Sequence, residues 1–187
     1  MFVIRPGNAG DLPAMAEILN DEILHSYVIY TETPKSAADM ELWFAAVEAN
    51  YYPFLATVDE SSQKLAGFAY ADAFRKLPSY RTTAEVSLYV AKAWRGCGLG
   101  KALLTALIEA ARRADLHALV SVIDSENQAS LLLHARLGFT KRGDWPEIAR
   151  KFNSWREASF WQLLLGPAKV DPGEQHVVPT TGHAVAD

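Results

Sequence analysis

Three groups of residues in this chain have the types and spacing to do chemistry. The first is Arg95-Gly96-Cys97-Gly98-Leu99-Gly100-Lys101, set between an alternating segment and one rich in alanine and leucine. Glycines between a strand and a helix let backbone N–H groups approach an anion with no Cβ in the way. A helix N-terminus adds roughly half a positive charge at the same spot. The stretch therefore reads as a phosphate cradle. A Walker loop needs Ser or Thr after its lysine, whereas Lys101 is followed by Ala102 and position 95 is Arg. A dinucleotide fingerprint needs GxGxxG in a regularly alternating chain, whereas Gly96, Gly98 and Gly100 fall at every second residue. Arg-x-x-Gly-x-Gly is the pattern left, and Arg95, Gly98 and Gly100 meet it.

The second group is Glu85, Ser87 and Tyr89, polar positions alternating with Val86, Leu88 and Val90 just before the glycines. A period of two puts them on one face of a half-buried strand. On alternation alone, Glu85 is equally compatible with a solvated carboxylate. The third group is the basic, aromatic stretch 74–81, with Arg75, Tyr80 and Arg81. Guanidinium groups offer a bidentate fork for a carboxylate, and basic loop residues are as often simply solvated.

The elements that must position these groups follow from periodicity. Residues 2–5 read as a strand. Asn8 or Asp11 is placed to cap a helix with Leu12, Met15, Ile18, Leu19, Ile23 and Leu24 on one face. Residues 27–34 read as a loop, and Ser36 caps a second helix to about 48 with Met40, Trp43, Phe44 and Val47 inward. Strands at 54–59 and 65–73 flank a polar turn. The cradle leads into a helix at about 99–114, a strand at 118–123, and a helix from Asn127 to about 137 closed by Gly138. Strands at 139–142 and 159–165 finish the domain, separated by an expected loop, 143–155. From Gly166 the chain is rich in proline and without an apolar period, so 166–187 is expected as a flexible tail after a domain at 1–165. The order β-α-α-β-β-β-α-β-α-β-β predicts a mixed α/β (α+β) sheet with helices on both faces.

At 187 residues, half of them hydrophobic, the chain fits one soluble domain with a sizeable core. A net charge of −4 argues against a nucleic-acid partner, and no apolar run reaches the roughly 18 residues of a membrane span. The N-terminus lacks a secretion pattern and the lone Cys97 makes no internal disulfide, so a cytoplasmic location is expected. The five histidines are too scattered to suggest a metal cluster.

The Arg95-x-x-Gly98-x-Gly100 loop after a strand resembles the coenzyme A pyrophosphate loop of the GNAT superfamily of N-acetyltransferases. A second block agrees: Asn127-Gln128-Ala129-Ser130-Leu131-Leu132-Leu133-His134-Ala135-Arg136-Leu137-Gly138-Phe139 resembles the superfamily helix that borders the pantetheine arm, with His134 where many members have Tyr. Thr83 to Val90, His134, Lys151-Phe152 and Trp155 are similar to the phosphinothricin and methionine sulfoximine acetyltransferases. Thr31-Glu32-Thr33-Pro34, Arg75 and Arg81 resemble the methionine sulfone/sulfoximine enzymes. Leu77 departs from the phosphinothricin branch, which has a basic residue there. The likeness runs from about Val3 to Leu165.

The resemblance implies a GNAT fold, with a central sheet of six to seven strands and about four helices, acetyl-CoA as co-substrate, no metal, and a homodimer. It implies N-acetylation of the α-amino group of a small L-amino acid or an analogue such as methionine sulfoximine, methionine sulfone or a phosphinothricin-like compound. Such a site must take a proton from the ammonium and stabilise an oxyanion. Glu85 is the candidate base, directly or through a water; His134 would protonate the departing thiolate or take the amine proton instead. Coenzyme contacts are implied for Leu88, Tyr89 and Val90, for Arg95, Gly96, Cys97, Gly98, Leu99, Gly100 and Lys101, and for Asn127 and Ser130. Cys97 occupies a spacer position. Tyr30, Arg75, Tyr80 and Arg81 are the candidate substrate residues. Alternatives are a peptide or other small-amine acetyltransferase and a non-catalytic coenzyme A-binding module, in which Glu85 would be replaceable without loss of rate.

Overall fold

The computed structural model describes residues 1–166; the rest of the expected tail lies outside the described residues. The elements follow in the expected order: β1 (Phe2–Pro6), α1 (Leu12–His25), α2 (Ala37–Ala49), β2 (Phe54–Asp59), β3 (Lys64–Ala73), β4 (Thr83–Val90), α3 (Leu99–Arg113), β5 (Ala118–Asp124), α4 (Gln128–Arg136), β6 (Thr140–Lys151) and β7 (Ser154–Leu164). The strands form a seven-stranded sheet in the order β1-β2-β3-β4-β5-β7-β6. β1 to β4 are an antiparallel meander, β4 and β5 are parallel across the α3 connection, and β5, β7 and β6 are antiparallel again. This is the expected mixed α/β architecture.

Local sequence explains the helix starts. Ser36 and Asp39 form a reciprocal capping box at α2, with the Ser36 hydroxyl accepting from the Asp39 N–H. Ahead of α1, Asn8 and Asp11 share the work. Asn8 caps a short 3-10 turn, Ala9–Asp11, and the Asp11 carboxylate accepts from the Asn8 N–H at 2.9 Å while pairing with Arg5 at 2.7 Å. α1 continues directly from that turn.

Two apolar layers cover the two faces of the sheet. On one, Leu99, Leu103, Leu104 and Leu107 of α3 pack on Ala84 and Val86 of β4 and Ala69 and Ala71 of β3. On the other, Leu12, Met15 and Leu19 of α1 and Met40 and Val47 of α2 meet Phe54 and Phe68. Full burial of each large side chain is worth about 1.5–3 kcal/mol. Leu24, expected on the buried face of α1, is 46 % exposed. It follows Ile23 directly, and one residue turns a helix by about 100°, away from the sheet.

The stretch 143–155, expected as a loop, is strand for most of its length. β6 runs through it, turns at Phe152 and Asn153 and returns as β7. Both turn residues have positive φ, 48° and 60°, as two-residue hairpin turns require. β6 is an edge strand exposed on both sides, with register shifts at Lys141/Gly143 and Trp145/Ala149. An edge strand with bulges has no in-out alternation to read.

The feature that builds the site is where β4 and β5 stop pairing. They are in register only at Thr83–Ala118, Ala84–Leu119 and Glu85–Val120. Beyond Glu85, β4 stays bonded to β3 as far as Val90, and β5 to β7 as far as Asp124. The two parallel strands part, and a cleft opens between them.

Candidate active site

A cavity of about 340 Å³ lies in this cleft. Its walls are β4 from Glu85 to Val90 and β5 from Ser121 to Asp124; Gly96, Gly98, Leu99 and Gly100 line it at the start of α3, and Asn127, Ser130 and His134 line it from α4. Glu85 stands at the apex, the last β4 residue still paired with β5.

The glycine turn has the geometry of an anion site. Gly96 and Gly98 have φ of 79° and 85°, the left-handed region that glycine adopts freely, and a Cβ at either would meet nothing within 4 Å. Backbone torsion thus requires glycine there, and the space beside it is open. Gly98 is the N-cap of α3, and no side chain among the described residues caps it. The first N–H groups of α3, which no helix can satisfy internally, are left for a ligand. Between the strands, the Ser121 hydroxyl is buried at the cavity wall with no hydrogen-bond partner among the described residues. A phosphate at the turn and a polar arm between the strands fit these donors.

Arg95 is used differently from its neighbours. Its Nε donates to the Val90 carbonyl at 3.0 Å, and its guanidinium pairs with Glu22, a residue of α1 that is only 4 % exposed. The side chain ties the turn to β4 and α1. Cys97 is exposed, and its Sγ donates to the Trp94 carbonyl at 2.9 Å. Cys97 and Lys101 are not among the residues lining the cavity.

Glu85 is half-buried and faces the α1–α2 side with Ser87 and Tyr89. Burial first, and then the neighbouring Asp72 carboxylate, raise its pKa above the ordinary 4.5, while Arg75 works the other way. Burial holds the phenols of the neighbouring Tyr70 and Tyr89 well protonated.

His134 is buried at 4 % exposure, edge-on to Phe139 at 4.9 Å. Its Nδ1 lies 2.8 Å from the Ser130 carbonyl oxygen, which can only accept, so Nδ1 carries the proton and Nε2 is left as an acceptor. Burial lowers its pKa below 6.5, against the opposing effect of the Ser130 bond. The ring is therefore a neutral proton acceptor near pH 7.

The candidate substrate residues are less closely gathered. The Tyr30 hydroxyl donates to the Asp124 carboxylate at 3.0 Å, and Asp124 lines the cavity. Arg75 lies over the Phe74 ring at 5.2 Å and is close enough to act on Glu85. Tyr80 packs on Phe74 at 5.9 Å, and Arg81 is exposed in the same β3–β4 connection. None of these three residues of the β3–β4 connection lines the cavity.

Sequence reasoning missed four buried charged residues around the site. Asp124 accepts two hydrogen bonds from Arg156, at 2.8 and 3.0 Å. Burial opposes the charge of Asp124, but the bonds from Arg156, the Glu126 N–H and Tyr30 outweigh it and lower its pKa. Arg156 stacks over Tyr27 at 4.0 Å. Glu22 takes the Arg95 pair, and Lys151, with no exposed surface, donates to the carbonyls of Ile29 at 2.7 Å and Glu22 at 3.4 Å. Together with the Phe152 N–H, which donates to Glu32 at 2.7 Å, they fasten the α1–α2 connection to the β6–β7 hairpin. Partners up to 129 residues apart leave no local signal.

A split parallel strand pair with a carboxylate at its apex and a glycine turn at a helix start is the arrangement expected of a coenzyme A-dependent acyltransferase. Comparison with known proteins gives the particular family. The model of the Acetyltransferase (GNAT) family matches residues 14–139, and the chain belongs to that family. It is 40 % identical over 169 residues to the L-methionine sulfoximine/L-methionine sulfone acetyltransferase of Pseudomonas paraeruginosa, covering 90 % of this chain and 98 % of that protein. It is 37 % identical over 162 residues to the L-amino acid N-acyltransferase MnaT of Escherichia coli, covering 87 % and 93 %. Among solved structures, the phosphinothricin acetyltransferase of Sinorhizobium meliloti in complex with acetyl-CoA superposes with a TM-score of 0.87 at 33 % identity, covering 96 % of this chain and 97 % of that one. Among the described residues, no group of metal-ligating side chains is assembled, and no helix is long and apolar enough to cross a membrane.

Proposed function

We propose that residues 1–165 form one catalytic domain that transfers the acetyl group of acetyl-CoA to the α-amino group of a small L-amino acid or an analogue of the methionine sulfoximine, methionine sulfone or phosphinothricin type. The observation that carries this reading is Glu85 at the apex of the β4–β5 cleft, with the glycine turn at the other end of the same cavity. The names of the relatives supply the substrate class.

The N–H groups from Gly96 to Lys101 would hold the pyrophosphate, with Arg95 bracing the turn. The backbone of Leu88, Tyr89 and Val90, with Asn127 and Ser130 opposite, would line the pantetheine arm. Bound acetyl-CoA supplies an activated thioester carbonyl. The amine arrives as an ammonium ion and must lose a proton before it can attack. Glu85 takes that proton, directly or through a water, and its raised pKa makes it a better acceptor. His134, neutral with a bare Nε2, is the second acceptor; it can return a proton to the leaving sulfur only after gaining one. Arg75 and Arg81 offer forks for the acceptor's carboxylate, with Tyr30 and Tyr80 alongside.

Thiol release on mixing the protein with acetyl-CoA and a panel of amino acids tests this reading. Turnover is expected with methionine sulfone or sulfoximine, and Glu85→Gln is expected to lower it by about 10²–10⁴-fold. Turnover confined to peptide amines would replace the substrate class, and an unaffected Glu85→Gln variant would remove the base.

The working form is a homodimer. Trp145, Ile148, Phe152 and Trp155 on the β6–β7 hairpin are 50, 47, 39 and 57 % exposed, apolar surface at the edge of the sheet that a second copy would cover. Light scattering on the wild type should give twice the chain mass, and Trp155→Asp should shift it toward the monomer. The cytoplasm, which holds acetyl-CoA and keeps Cys97 reduced, is the location that suits it.

A further inference from the structure

A carboxylate that removes protons and a guanidinium that holds a substrate carboxylate make awkward neighbours. The guanidinium stabilises the ionised carboxylate and so weakens it as a base. Glu85 and Arg75 are such neighbours. The fold places one more charged group in the same small space. Asp72 of β3 is in register with Glu85 of β4, directly across the strand pair. Residues opposite each other in an antiparallel pair share a face, with Cβ atoms about 5 Å apart. Like charges in that relation destabilise the pair, so this one costs the sheet something. The Asp72 carboxylate is also fixed in place, accepting the Ala73 N–H at 2.6 Å.

We propose that Asp72 is a positioning residue for the reaction: its carboxylate offsets the charge of Arg75 beside Glu85, so that the site holds a cation for the acceptor's carboxylate and keeps Glu85 a competent base. The inference rests on the reading of Glu85 as the base. The other groups around Glu85 do not replace Asp72 in this role. On its own strand and on β3 they are the phenols of Tyr89 and Tyr70, both held protonated by burial. On β5 its register partner is Val120, which has no charge. Glu22 of α1 is paired with Arg95, Asp124 at the end of β5 is paired with Arg156 and bonded to Tyr30, and His134 of α4 is neutral. Tyr52, two residues before β2, responds to Asp72 itself.

The test is the pH profile of kcat/KM for the acceptor amino acid in wild type, Asp72→Asn, Asp72→Glu, Arg75→Gln and Glu85→Gln, with the Glu85 side-chain carboxyl followed by carbon NMR in the protein without coenzyme. Asp72→Asn should move the acidic limb to lower pH, raising the ratio of kcat/KM at acid pH to that at the plateau about threefold. Arg75→Gln should move the limb the opposite way, and Asp72→Glu should restore it. The Glu85 carbon titration should shift in the same directions, a readout that a merely structural loss would not give. If Glu85→Gln abolishes turnover while Asp72→Asn leaves limb and resonance in place, Asp72 has no such role and Glu85 remains the base. If Glu85→Gln keeps full turnover, the base assignment and this inference fall together. Shifts of the same sign in Asp72→Asn and Arg75→Gln would also overturn it.

Discussion

His134 is defined by where its protons can go. Nδ1 donates to the Ser130 carbonyl, which favours the charged ring, but the ring is only 4 % exposed and burial outweighs that bond, so the imidazolium is disfavoured in the folded protein. The unfolded chain has no such constraint and protonates near the ordinary 6.5. As pH falls through 6.5, the unfolded state takes up the proton first, and stability drops until the folded pKa is reached. Above 6.5 the contribution is fully present. His134→Phe should therefore flatten the dependence of Tm on pH just below 6.5 relative to wild type, which thermal melts across that range would read directly. Position 134 also shows how far the sequence reaches at this scale. The helix and the residue were legible from the Asn127–Phe139 block; the tautomer was not, because it depends on a carbonyl one turn back and on burial by Phe139.

At the scale of elements, the strand–turn–helix from β4 to α3 was the most legible part of the chain. Its alternation, its glycines and its leucine spacing each follow from local geometry. Gly98 is the position where that geometry is strictest. Any side chain there must hold φ near 85°, which costs about 1–2 kcal/mol for an L-residue. The Cβ itself meets no protein atom, and it would stand in the open space at the helix start. Gly98→Ala should thus lower Tm by only a few degrees. It should weaken coenzyme A binding about tenfold or more, measured by calorimetry, since the added methyl would occupy the approach proposed for the phosphate. The β6–β7 hairpin is the opposite case. Its bulges and double exposure erased the alternation that marks a strand, although the Phe152-Asn153 turn has the pair of positive φ angles of a two-residue hairpin turn.

At the scale of the whole molecule, the site is assembled by contacts between distant parts of the chain. The α1–α2 connection is fixed by Lys151, Phe152, Arg156 and Asp124, none of which is its neighbour in sequence. Such long-range tethers were beyond sequence reasoning because Lys151, Arg156 and Asp124, taken alone, look like ordinary surface charges, and the Phe152 tether is a backbone N–H that no side chain announces. Lys151→Met keeps the apolar stem and removes the donor to Ile29, leaving a carbonyl unsatisfied at a cost of about 1–3 kcal/mol. Limited proteolysis should then cut within 26–34 sooner than in wild type, with the sheet and its coenzyme site still folded.

The parting of β4 and β5 carries a mechanical meaning. The meander β1–β4 and the block β5–β7–β6 are joined across the sheet by only three register pairs, 83–118, 84–119 and 85–120. A molecule lying in the cleft and bonding to both edges would splice these halves into one continuous sheet. The acetyl donor would then stiffen the scaffold that holds Glu85, and its departure as the free thiol would loosen that scaffold again. Each catalytic cycle would pass through one tighter and one slacker form of the same sheet.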